Sequence, residues 1–449
     1  MTRRQMLGAA AAAIAGAQQN TEPPNILFLM PDQWRGMDLG SAGNRQVRTP
    51  NLDKLAADGM QFDNAVANTP VCTPARSTVL TGRYPHATGT AVNDVRLPIH
   101  EVTLPEMLRQ RGYYTGFIGK WHLDGGLRMP GYVPPGERRQ GFDYWAANEC
   151  SHAYFKQWYF RDDPKRIDIA GYEVFEWTKL GSEFLDNAKN KKQPFCLYMQ
   201  YGPPHDPYLA PPGYETMYDP AKIEMRKNWK PGAQRNGTSK EIAGYYAAIA
   251  CLDEQIGQLL GKLDSLGMTG NTIVFVTSDH GDMLGSQELS SSAPVGRKRP
   301  VYPVSSAGPT ASGRRQCSKA PFSHVDVVPT LLGLCGMETP ARMHGHDYSS
   351  HVRDGSGETP EFSHLMIYTK TEADEHGPWR GLRSSKWKYA RHEDRPWVLY
   401  DLENDPYEMN NLAADRSRAK LMAGFDSNIA AQMAATGDRW DELFDRPYR

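Results

Sequence analysis

The 449-residue sequence predicts an α/β fold, a mostly parallel central sheet sandwiched by helices, with a smaller C-terminal α+β subdomain. Three observations lead there. Stretches with apolar residues at helical spacing alternate with short apolar runs of strand length. Each of those runs ends in polar residues of the kinds that do chemistry. Past about residue 357 the texture changes to short, turn-punctuated segments.

In chain order, residues 1–17 come first, joining Arg3-Arg4 to an alanine-rich apolar run from Gly8 to Ala17. This leader resembles a bacterial twin-arginine (Tat) export signal, cleaved after Ala15-Gly16-Ala17, so the Tat export machinery is an expected partner and the mature protein is expected to be periplasmic or secreted. It is too short to span a bilayer, and no other run is long and apolar enough, so no stable membrane anchor is expected. Loss of Arg3 and Arg4 takes the formal net charge from −1 to about −3. That balance gives no reason to expect a nucleic-acid partner. A hydrophobic content of 39% suffices for a large core.

The expected catalytic domain runs over residues 22–356. Residues 25–30 read as a buried strand ending at Pro31-Asp32-Gln33. Thr49-Pro50-Asn51 opens a helix through Leu52, Leu55 and Ala56 that stops at Gly59. A helix over 104–111 feeds an apolar strand at 114–118, which ends at Gly119-Lys120-Trp121-His122. A helix around 174–188 feeds a strand at 195–201, ending at Gly202-Pro203-Pro204-His205-Asp206. The long helix near 239–266, with Ile242, Tyr246, Ile249, Leu252, Ile256 and Leu260 on one stripe, feeds a strand at 272–277 that ends at Ser278-Asp279-His280-Gly281-Asp282. In open parallel sheets ligands bind beyond the carboxyl ends of the strands. Asp32, Lys120, His205 and Asp279 would therefore meet at one edge. After a further helix near 323–332, segments 366–370, 380–391 and 397–402 read as antiparallel strands and 416–434 as a closing helix, giving a subdomain over 357–449.

Asp32, Gln33, Asp279 and His280 offer two carboxylates, an amide oxygen and an imidazole. Hard oxygen donors favour Ca²⁺ or Mg²⁺, and the histidine also admits Mn²⁺ or Zn²⁺. Arg76, Lys120, His122 and His205 add positive or hydrogen-bonding groups suited to an anionic ester. Cys72 is placed just before a helix, where orphan backbone N–H groups favour an anion.

The stretch Cys72-Thr73-Pro74-Ala75-Arg76, continued by Ser77-Thr78-Val79-Leu80-Thr81-Gly82-Arg83, together with the 24–33 and 272–282 segments, resembles the type I sulfatases of the alkaline-phosphatase superfamily. That resemblance covers most of residues 24–286 and returns at 323–412. It implies that a formylglycine-generating enzyme converts Cys72 to formylglycine, whose hydrate attacks sulfur. It implies a divalent metal, usually calcium, held by Asp32, Gln33, Cys72, Asp279 and His280. Arg76 and Lys120 would support the nucleophile, His122 would deprotonate the hydrate to expel sulfate, and His205 would protonate the leaving oxygen. Trp379-Arg380-Gly381-Leu382-Arg383 and the 399–406 segment resemble the closing subdomain of glycan-directed members, so the implied substrate is a sulfated glycan or a smaller sulfated molecule. Gln33 replaces a common second aspartate, and the Asp-Gln plus Asp-His set also resembles formylglycine-dependent phosphonate monoester and phosphodiester hydrolases. An inactive glycan-binding relative is a further alternative.

Segment 287–319 departs from the pattern. It has no apolar run of strand length, and after Glu288 every charge is positive. A poorly packed loop is expected, arising from a local reading-frame disruption or sequencing artefact, with Lys298 the one candidate for a second catalytic lysine. The remaining motifs are read as structural. Trp121 packs, His344 and His346 belong to a surface loop, His86 stays outside the set, and His152, Tyr154 and Trp158 lie in a packed loop that could alternatively line a cleft. Cys196 and Cys251 are expected to be buried thiols. The other cysteines, including Cys150, are scattered without a C-x-x-C pair.

Overall fold

The computed structural model describes residues 22–125, 131–229, 237–286, 303–305, 316–369 and 377–440. The twin-arginine leader and Lys298 lie outside them. No described helix is long and apolar enough to cross a membrane.

The central sheet has eight strands: β1 (Asn25–Pro31), β2 (Met60–Val66), β3 (Tyr114–Lys120), β4 (Tyr144–Asn148), β5 (Phe195–Tyr201), β6 (Thr272–Val276), β7 (Pro303–Ser305) and β8 (Gln316–Ser323). Their order is β8-β2-β7-β6-β1-β5-β3-β4, parallel except for β7, which runs against both neighbours. β1 is central and wholly buried, so both its faces are apolar. Ile26, Phe28 and Met30 point into one core with α2 (Cys72–Thr81), α3 (Leu104–Gln110) and α6 (Val327–Leu334). Leu27 and Leu29 point into the other, against α1 (Pro50–Asp58), α4 (Glu173–Lys191) and α5 (Ser239–Ser265). Period-2 alternation along one strand thus builds the two helical layers. Thr103 and Thr238 start α3 and α5 with capping boxes to Glu106 and Glu241, which satisfy orphan N–H groups at both ends of the box.

The expected loop over 287–319 is corrected at two places. Residues 303–305 form β7, wedged between β2 and β6, and 316–319 begin β8. β8 escapes sequence recognition because its register shifts between Ser318 and Pro321 and because it lies at the sheet edge, where a proline costs no central hydrogen bond.

The C-terminal part is an antiparallel sheet of β9 (Ser363–Ile367), β10 (Trp379–Arg383), β11 (Trp387–Arg391) and β12 (Pro396–Asp401). Helix α7 (Ala419–Thr436) covers one face, packing Met422, Phe425 and Ile429 on Leu382, Tyr389 and Leu399. The other face packs Ile367, Trp379 and Val398 against Val66 and Val71. Burying side chains of this size contributes roughly 1.5–3 kcal/mol each, which fixes this sheet beside the segment that delivers Cys72.

Candidate active site

The carboxyl ends of β1, β3, β5 and β6 carry Asp32 and Gln33, Lys120 and His122, His205, and Asp279 and His280, as the strand pattern predicts. Cys72 is the first residue of α2 rather than the residue before it. Its Sγ marks where an oxygen would stand after conversion to formylglycine.

Asp32, Cys72, Asp279 and His280 are all buried and bring their ligand atoms within 4.8 Å of one another. Asp32 Oδ1 is buried without a hydrogen-bond partner, an unspent lone pair inside this group. His280 Nδ1 faces the Gly281 carbonyl at 3.1 Å and carries a proton there, which leaves Nε2, 3.2 Å from Cys72 Sγ, as the nitrogen that would give up its own proton to a cation. Two carboxylates, an imidazole and the neighbouring Gln33 amide fit a divalent cation.

Arg76 is fully buried and its fork spans the cluster. Nη2 donates to Asp32 Oδ2 at 3.2 Å and to Asp279 Oδ2 at 2.9 Å, while Nη1 donates to the Lys120 carbonyl at 2.8 Å and to Gln200 Oε1. Its support of the nucleophile therefore runs through the two carboxylates that border Cys72. Lys120 Nζ lies 2.5 Å from Asp32 Oδ2 and 3.7 Å from Cys72 Sγ. Burial opposes ionisation of both partners, yet Lys120 holds the Asp32 carboxyl well below its usual range and lowers the Cys72 thiol too. Asp279 shifts up, through burial and the charge of Asp32.

His122 adopts a left-handed backbone, φ 55°, and its Nε2 lies 2.9 Å from Asp94 Oδ1. Burial disfavours its protonated form, but the Cys150 thiolate and Asp94 raise its pKa well above the ordinary imidazole value. His205 Nδ1 is 3.0 Å from Asp206 Oδ1; Asp32 and Asp206 outweigh burial and push its pKa to about 9.

Two contributors escaped the sequence reading, and a third, His152, was given there only as an alternative. Asp94 arrives on a loop with no local signal. Cys150 neighbours Lys120, His122 and His152, which together pull its thiol down against burial. Recognising Tyr144–Asn148 as a strand would have placed Cys150 at the same sheet edge. His152 stacks on His205 and approaches Lys120 Nζ at 3.4 Å, so the packed-loop reading of its segment holds for buried Tyr154 and Trp158 but not for His152. Trp121 packs on Phe117 and Trp145 as expected. His344 and His346 form no metal pair, since His344 Nδ1 accepts from the Tyr84 amide and His346 Nε2 faces the Glu358 carbonyl. His86 contacts Tyr368. All six cysteines are free, and Cys196 and Cys251 are buried.

A family model described as Sulfatase matches residues 24–337. The chain belongs to the sulfatase family. A second model, N-sulphoglucosamine sulphohydrolase C-terminal, matches residues 303–435 of the sulfatase. An ulvan-active sulfatase of Formosa agariphila is 36% identical over 435 residues, covering 94% of this sulfatase and 84% of the relative. An N-acetylglucosamine-6-O-sulfatase of Bacteroides thetaiotaomicron is 26% identical and covers 90% and 85%. The crystal structure of a candidate sulfatase, yidJ, from Bacteroides fragilis superposes with a TM-score of 0.83 at 28% identity, covering 95% and 98%. This sulfatase is a sulfuric ester hydrolase on an alkaline-phosphatase-like fold.

Proposed function

We propose that the sulfatase removes sulfate from a carbohydrate, using a formylglycine made from Cys72 and a divalent cation, calcium for preference over Mg²⁺ or Mn²⁺, held by Asp32, Gln33, Asp279 and His280. The observation that carries this is Lys120 Nζ set between Asp32 and Cys72, inside a buried cluster that retains an unspent carboxylate oxygen. The substrate class is supported by relatives named for ulvan and N-acetylglucosamine 6-sulfate. Export by the twin-arginine route belongs to the same proposal and rests on Arg3-Arg4 and the alanine run after them.

Converted Cys72 would supply a geminal diol, one hydroxyl to attack sulfur and a second to release it, and the cation would supply positive charge against the sulfate oxygens. Lys120 steadies negative charge at the attacking oxygen and holds Asp32 in place. His205, protonated at neutral pH, gives its proton to the leaving alkoxide oxygen as the sulfur–oxygen bond breaks. His122, its Nε2 oriented by Asp94, would take the proton from the second hydroxyl at Nδ1 as sulfate departs, in its neutral form, which the raised pKa makes the scarcer one at neutral pH.

Sulfate release from a panel of sulfated oligosaccharides, measured alongside peptide mass spectrometry across Cys72, tests the proposal. Aldehyde at Cys72 with glycan desulfation is the expected result. Turnover of phosphonate monoesters in preference to every sulfate ester would overturn the substrate class, and an unconverted thiol in an active enzyme would overturn the nucleophile.

A further inference from the structure

We propose that Asp282 is a positioning residue that sets which end of the Gln33 amide faces the cation. The inference rests on the metal site proposed above and deepens it. A glutamine is an ambiguous ligand, because its amide presents an acceptor at Oε1 and donors at Nε2, and only the first can bind a cation. Something must hold it one way round.

Gln33 is fixed at three points. Its backbone is in the left-handed region, φ 62°, unfavourable for a residue with a Cβ. The Gln33 amide N–H donates to Asp279 Oδ1 at 3.1 Å and its carbonyl accepts from the Tyr245 hydroxyl at 2.9 Å, so both ends of the residue are tied down. Nε2 then donates to Asp282 Oδ2. With the amide nitrogen committed there, Oε1 is the end left for a cation.

Asp282 is built for this task. It is 1% exposed, and it receives three donors: Gln33 Nε2 and the Tyr208 hydroxyl (2.6 Å) at Oδ2, and the Leu284 amide (2.9 Å) at Oδ1. A carboxylate offers acceptors in both directions, so no rotation of Asp282 could reverse Gln33. An asparagine there behaves differently. The Leu284 N–H claims its oxygen, its amide nitrogen turns to Gln33, and Gln33 must flip Nε2 toward the cation or leave two donors opposed.

The test is divalent-cation affinity, read by titration calorimetry with Ca²⁺ alone. Asp282→Asn is expected to weaken Ca²⁺ binding at least fivefold. The exchanged pair Gln33→Glu with Asp282→Asn, in which the asparagine donates to a carboxylate that keeps an oxygen for the cation, is expected to bind within threefold of the parent or more tightly. A general packing role for Asp282 would not be reversed by that exchange. A single variant weakened less than fivefold, or a double variant no better than the single, overturns the proposal. A parent that binds no divalent cation overturns the metal site itself and this inference with it. Should Asp282→Asn not fold, a crystal structure of the calcium-loaded parent decides: Gln33 Oε1 on the cation with Nε2 on Asp282 supports the proposal, and any other orientation overturns it.

Discussion

His152 and His205 stack with ring centroids 3.9 Å apart, and the second of the two carries the raised pKa. His152 is shifted down, by burial and by the charge of His205, so the pair behaves as one charged and one neutral imidazole. His205 is then a ready acid at neutral pH. His205→Ala should lower kcat for a sugar sulfate by on the order of 10²-fold or more, and much less for an aryl sulfate whose phenolate leaves without a proton. Rates across a series of leaving groups measure the difference. Because the pKa is raised, the acid is present below about pH 9 and lost above it, so kcat for sugar sulfates should fall on the alkaline side.

Arg76 bridges the two carboxylates of the cluster, Asp32 and Asp279. Its guanidinium and both carboxylates it binds are 0% exposed. Arg76→Lys keeps the charge but cannot reach Asp32, Asp279, Gln200 and the Lys120 carbonyl together. Leaving a buried carboxylate unmatched costs about 3–5 kcal/mol. Chemical denaturation without added metal should show a loss of that size, and Ca²⁺ should restore part of it by occupying the same carboxylates.

Four strand ends and their site residues were legible because β1, β3, β5 and β6 are continuous apolar runs, the mark of a sheet buried on both faces. β2 was not, since its buried positions include Gln61 on one face and Asn64 on the other. Asn64 is tolerated there because its Oδ1 accepts from Arg383 Nε at 2.8 Å, a partner from the C-terminal sheet more than three hundred residues away in sequence. Asp94 was equally invisible: its role is fixed by where a loop returns, and no local spacing encodes that. The donor set itself was readable as residue types, while Arg76 bridging Asp32 and Asp279 required the fold.

Acid should destabilise the sulfatase through His324. This residue is 0% exposed, its Nε2 lies 2.9 Å from the Ser278 carbonyl, and burial, reinforced by the charge of His280, lowers its pKa to about 4. The unfolded chain takes up this proton below about pH 6.5 and the folded one only near pH 4. Stability is therefore full above 6.5 and falls as pH drops toward 4, by about 1.4 kcal/mol per pH unit for this residue. Denaturant titrations of the parent and of His324→Gln between pH 4 and 7 should differ by that slope, because groups such as Glu149 and Glu173, pushed up by burial, act in the opposite direction in both proteins.

Gly119 is the residue whose missing side chain lets β3 and β5 close on the site. It sits at φ 108°, and a Cβ there would fall 1.9 Å from the Gln200 carbonyl oxygen. Gly119 pairs with Gln200 in the sheet, Lys120 follows it, and Gln200 Oε1 accepts from Arg76. An alanine must push the two strands apart where Lys120 and Arg76 are held, and the contact is backbone, which cannot rotate away. Gly119→Ala should cost more than about 2 kcal/mol and should also lower kcat of the folded fraction, since Lys120 moves with the strand. Gly112 is the matched control. It too has a positive φ, 84°, but an added Cβ meets nothing within 4 Å. Gly112→Ala should cost only about 1 kcal/mol and leave kcat unchanged. Equal losses from the two substitutions would mean that backbone conformation, and not the approach of β3 to β5, is what Gly119 provides.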